Sequence, residues 1–69
     1  MKRDEVSSSA LTSVGYDPAH AVLEIEFRSG DVYRYYAVPP SVHSALMHAP
    51  SLGTYFQRRI RDRYPTERL

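Results

Sequence analysis

The chain has 69 residues, with nine Lys or Arg, eight Asp or Glu, three His, no cysteine and a formal net charge of +1. That length holds one domain near the lower limit for a self-sufficient core, so the margin over conformational entropy is thin and self-association would supplement it. The lack of cysteine excludes disulfides, thiolate metal sites and thiol nucleophiles, and no apolar run reads as a secretory leader or a membrane span, so the cytoplasm is the expected compartment.

Residues 1–5 are charged and without periodicity, and read as a flexible lead-in to a single domain over 6–66. Ser9 to Tyr16 carries β-branched and aromatic residues and stops at Asp17-Pro18, which predicts a first strand and a turn. Val22 to Phe27 follows, with Leu23, Ile25 and Phe27 alternating against Glu24 and Glu26, a pattern with one buried face and one acidic, solvated face. The next strand is the aromatic run Tyr33-Arg34-Tyr35-Tyr36, ended by Pro39 and Pro40, neither of which can donate to a ladder.

The loop joining these two strands sets their register. A two-residue Ser29-Gly30 loop would place Arg34 on the face of Ile25, a charge in the core. A three-residue loop with Gly30 left-handed instead pairs Ile25 with Tyr33, Leu23 with Tyr35 and Glu24 with Arg34, and is the expected arrangement. It gathers Leu23, Ile25, Phe27, Tyr33 and Tyr35 on one side and adds a cross-strand ion pair of about 0.2 to 1 kcal/mol on the other.

After the prolines a helix can begin at Pro40 or Ser41, and Val42, Ala45, Leu46 and Ala49 form its apolar stripe. Pro50 breaks it. Ser51 then caps a second helix, along which Leu52, Phe56, Ile60 and Tyr64 recur every four residues until Pro65. Residues 67–69 are left as a tail. The predicted fold is α+β: a three-stranded antiparallel meander followed by two helices packed on one face, in the order β-β-β-α-α.

Val6-Ser7-Ser8-Ser9, Val14-Gly15-Tyr16-Asp17, the alternating Leu23 to Phe27, Gly30, Tyr33-Arg34-Tyr35, Val38-Pro39, Ala49, Ser51, Gly53, Tyr55-Phe56, Ile60-Arg61 and Tyr64 together resemble the KTSC domain over about residues 6–66. The family is named for its place at the C-terminus of some lysyl-tRNA synthetases and also occurs as a stand-alone small bacterial protein, the form this chain is similar to. Its tyrosine-any-tyrosine motif is matched by Tyr33 and Tyr35. The resemblance implies a domain of unestablished function for which RNA binding has been proposed. Gln57 departs from the asparagine expected after Tyr55-Phe56.

The residues themselves support a binding module rather than an enzyme. Serines, His20 and Asp17 lack the pocket and supporting shell a hydrolytic site needs. His43 and His48, five apart on a helix, point roughly 140° from each other and cannot share a metal. No cofactor is expected. Charge is uneven: residues 1–50 carry four basic and six acidic side chains, a net −2, whereas residues 51–69 carry five arginines and two acids, a net +3. Arginine's planar fork suits phosphate, so RNA is the leading partner, gripped by Arg58, Arg59, Arg61 and Arg63 of the second helix, with Arg34 and Tyr36 on the solvated sheet face. Tyr33 and Tyr35 are expected to face the core. Ser51 and Gly53, at the start of the second helix, form a candidate anion seat, against the simpler reading that Gly53 lets the helices pack closely. The alternative function is protein interaction or self-association through an open edge at Ser9 to Tyr16 or an apolar helix face.

Overall fold

Gly30 adopts a φ of 95°, and this one left-handed residue closes the central hairpin. The Phe27 amide donates to the Asp31 carbonyl at 2.9 Å and the Gly30 amide returns to Phe27, a three-residue connection. The computed structural model describes all of residues 1–69, with β1 (Asp4–Glu5), β2 (Leu11–Asp17), β3 (Val22–Phe27), β4 (Val32–Tyr35), α1 (Pro40–His48), α2 (Leu52–Arg59) and β5 (Thr66–Arg68). Across the hairpin Leu23 faces Tyr35, Glu24 faces Arg34 and Ile25 faces Tyr33, the register expected from the three-residue loop.

The α+β fold and the meander followed by two helices are as predicted, but the sheet has five strands in the order β1-β2-β3-β4-β5. The two added strands come from segments read as a flexible lead-in and a tail. Asp4 and Glu5 pair with Val14 and Ser13, and Thr66, Glu67 and Arg68 pair with Tyr35, Arg34 and Tyr33. Strands of two and three residues show no period, so their ends are fixed by the neighbouring strand rather than by their own pattern. The strand expected at an open edge is therefore flanked on both sides, and the Val6 amide adds a bond to the Thr12 carbonyl.

The core joins Leu11, Val14, Leu23, Ile25 and Tyr35 of the sheet to Val38, Leu46, Phe56 and Ile60. On α1 the inward side is Val42, Leu46 and Met47, while Ala45 is exposed. His43 also lies on this side, its ring stacked on Tyr16 at 4.5 Å with 9° between planes. Burial lowers the pKa of His43, favouring the neutral ring in that stack.

The second helix is shorter than its four-residue spacing predicts. It ends at Arg59, with Ile60 as cap and Asp62 left-handed at φ 61°. Tyr64 precedes Pro65 and is disfavoured in helical geometry, so the chain turns out early and returns along β4 as β5.

On the side of the sheet away from the helices, Gly15 is buried beneath the first residues of the chain. A Cβ at Gly15 would lie 2.6 Å from the Lys2 carbonyl oxygen, whereas one at Gly30 would meet nothing within 4 Å. Gly15→Ala is therefore expected to dislodge the N-terminal segment and speed hydrogen exchange of the Val6 amide. Gly30→Ala should instead lower global stability by about 1 to 2 kcal/mol through backbone strain, with Val6 protection falling only in step. Amide exchange combined with thermal unfolding checks both, and an unaltered Val6 rate in Gly15→Ala would contradict the close-packing account.

Candidate functional site

The period-two pattern puts Glu24 on the sheet side opposite the core, but the side chain is buried, only 2% exposed. Its carboxylate is held from two directions. Arg34 Nε donates to Oε1 at 2.8 Å, and Arg3 Nη1 donates to Oε2. Arg3 also donates through Nε to Ser13 Oγ, which in turn donates to Glu26. Arg3 reaches the carboxylate by crossing Gly15, the residue opposite Glu24 on β2, where there is no side chain in the way. Burial by itself would raise the Glu24 pKa, but the hydrogen bonds and charges of Arg34 and Arg3 outweigh it and hold the carboxyl below its ordinary range.

This network corrects two expectations. The acidic row of Glu24 and Glu26 is not an open solvated face, because the N-terminal segment lies over it. Arg34 and Tyr36 are also committed: Arg34 to Glu24, and the Tyr36 hydroxyl to Glu67, which faces Arg34 across β4 and β5. A nucleic acid would have to displace these internal partners to use either side chain.

The arginines of residues 58–63 differ. All four are exposed, and Arg58, Arg59 and Arg63 have no ion-pair partner within the protein. Arg61 lies 3.8 Å from Asp62, an exposed and loose pair. The remaining arginines are occupied: Arg28 donates twice to the Ser8 carbonyl, and Arg68 pairs with Asp31 at 3.0 Å. The early end of α2 splits the group. Arg58 and Arg59 line one depression with Tyr55, and Arg61 lines a separate cavity.

That second cavity was not foreseen from the sequence. It measures about 540 Å³ and is lined by the rings of Phe27, Tyr33, Tyr35 and Phe56, with Arg28 and Arg61 among its charged residues. Tyr33 and Tyr35 do face the helix side, as expected, and Tyr35 is 5% exposed. They also form a cavity wall, because α2 stops short of covering them. Phe56 meets Phe27 and Tyr35 edge-on at 5.1 and 5.5 Å, while Tyr33 and Tyr35 lie nearly parallel at 6.5 Å. Burial, aided by the neighbouring Tyr33, pushes the Tyr35 hydroxyl up to about 12. Tyr35 therefore remains a protonated hydrogen-bond donor at neutral pH. The signal that could have disclosed the cavity was Tyr64-Pro65, which already argued against a helix running to residue 64.

At the start of α2, Ser51 is the N-cap. Its hydroxyl accepts from the Thr54 amide at 3.2 Å and donates to Thr54 Oγ1. Gly53 packs against Ala10, just before β2, rather than against α1, since a Cβ there would lie 3.1 Å from the Ala10 Cβ. The candidate anion seat is thus a capped helix end with one amide already taken. His20 pairs with Asp17 at 2.8 Å on an exposed turn. No group of three or more His, Cys, Asp or Glu side chains is placed to hold a metal ion.

Known proteins share this sequence and fold. The KTSC domain model matches residues 7–64. A crystal structure of a KTSC domain protein from Yersinia pestis superposes with a TM-score of 0.96 at 38% identity, covering 99% of this chain and 96% of that one. An uncharacterized protein from Stutzerimonas stutzeri is 50% identical over 64 residues, 93% of this chain and 90% of its own. A lysine--tRNA ligase from Nostoc punctiforme is 41% identical over 61 residues, which are 88% of this chain and 11% of the ligase.

The Glu24 network has a pH signature. A carboxyl held below its ordinary value contributes stability that is present above about pH 4.5 and is lost as pH falls through its folded-state pKa. Glu24→Gln is expected to cost about 1 to 3 kcal/mol at pH 7, and the gap to the wild type should close as the solution is acidified. Urea denaturation at a series of pH values reads both quantities. A gap of constant size from pH 7 to pH 3 would show that the charge on Glu24 is not what stabilises the fold.

Proposed function

This chain belongs to the KTSC domain family, and from that premise we propose that it is a binding module for single-stranded RNA, gripping the backbone through Arg58, Arg59, Arg61 and Arg63. The observation that carries this reading is the division of labour among the arginines. Arg3, Arg28, Arg34 and Arg68 are bound to internal acceptors, whereas those at 58–63 are exposed and free or only loosely paired. Guanidinium groups without internal partners offer their full donor set to phosphate oxygens, and binding releases counterions without breaking a native interaction. Contacts to phosphate carry no base code, so a grip confined to the backbone is independent of sequence. The presence of a 41% identical segment in a lysine--tRNA ligase supports an RNA context for the domain.

Replacing Arg58, Arg59 and Arg61 together with alanine is expected to weaken binding of short single-stranded RNA across all sequences. It should also reduce the slope of log affinity against log salt by about 2, at roughly 0.7 for each phosphate left without its arginine. Arg34→Ala should lower stability more than RNA affinity, because Arg34 serves Glu24. Fluorescence anisotropy at several salt concentrations measures these effects. If the wild-type protein shows no RNA affinity at low salt, the reading fails.

A further inference from the structure

We propose that the cavity lined by Phe27, Tyr33, Tyr35 and Phe56 is a pocket for a single unpaired nucleobase, with Arg61 at its edge holding the adjoining phosphate. The occupant follows from the RNA reading above; the existence of the pocket follows from the fold. Its volume of about 540 Å³ is within the range of about 300 to 1,000 Å³ typical of ligand sites. Two of its rings are sunk into the core, Tyr35 and Phe56 at 5% and 8% exposure, and form the floor. Phe27 and Tyr33 are half-buried, stand at 79° to each other, and present the accessible ring surface.

A flat heterocycle fits such a site because every base has a π-face that stacks on an aromatic ring, whatever its sequence identity. The hydroxyls of Tyr33 and Tyr35 make no hydrogen bond within the protein and are not sealed from solvent. They can therefore meet the polar edge of a base. Charge at the mouth favours an attached phosphate. Arg28 and Arg61 line it with Asp31 and Asp62, and Asp31 is already neutralised by Arg68, from outside the lining, at 3.0 Å, which leaves a net positive mouth. Arg61, only loosely paired with Asp62, belongs both to this mouth and to the exposed arginines of residues 58–63, so one phosphate can leave the backbone track as its base enters the cavity.

The test uses a short single-stranded RNA carrying one 2-aminopurine, together with adenosine 5′-monophosphate, against the full chain. With the wild type, bound 2-aminopurine should be quenched, and the mononucleotide should shift the NMR signals of Phe27, Tyr33 and Tyr35. Tyr33→Leu should abolish the quenching and weaken RNA binding by between about fivefold and 150-fold, leaving the salt slope unchanged. Tyr33→Phe keeps the ring and should restore most of the affinity, which controls for loss of fold. RNA binding that proceeds with unquenched 2-aminopurine and wild-type affinity in Tyr33→Leu overturns the pocket and leaves the arginine grip standing. Mononucleotide shifts at these rings without RNA affinity would uphold the pocket and remove the RNA reading. Absence of both removes both.

Discussion

A carboxylate is buried on the side of the sheet that faces away from the helices, and the closure of the molecule follows from it. In the strand register Gly15, Glu24, Arg34 and Glu67 form one row across β2, β3, β4 and β5. Glu24 sits in the middle with cations on either side. Arg34 comes from the neighbouring strand, and Arg3 comes from a segment that reaches Glu24 because Gly15 leaves a groove. A buried charge is tolerated only when it is paired and hydrogen-bonded on its remaining lone pairs. Both carboxylate oxygens are engaged, so the N-terminal segment has a reason to stay and β1 has a template to pair with.

The same interaction decides which cations are available to a ligand. Of the eight arginines, those near the sheet are consumed by Glu24, by Asp31 and by the Ser8 carbonyl. What is left lies at the end of α2 and in the turn beyond it. The guanidinium groups without internal partners thus lie on the helix side and not on the sheet face, where single-stranded RNA readers usually stack bases. The aromatic surface follows them, since the rings of Tyr33 and Tyr35 point to that same side.

Sequence reading succeeded where one choice excluded its rival physically. The hairpin register was legible because slipping it by one residue would have put Arg34 into the core, and Gly30 was the residue able to take the left-handed turn. It failed where the decisive partner was distant. Alternation labels Glu24 as solvated, and only the path of Arg3 over Gly15 makes it buried, an interaction between residues 21 apart that no local pattern records. It failed also at α2, where the spacing of Leu52, Phe56, Ile60 and Tyr64 continued past the point at which the backbone could. The left-handed Asp62 and the restriction imposed by Pro65 ended the helix, and the cavity and β5 are both consequences of that early stop.

The two sides of the sheet are therefore specialised, and the arrangement bears on how the domain can sit within a longer protein. Residues 1–3 run over the back, above Gly15, while Arg58, Arg59 and the aromatic cavity lie toward the helices. A polypeptide preceding residue 1 would join on the back face and leave the arginines unobstructed. In the Nostoc punctiforme ligase the matching segment is 11% of the chain, so most of that protein lies outside the domain. The route of the N-terminal segment, fixed by Glu24, thereby places residues 1–3 on the face opposite the helices, the arginines and the aromatic cavity.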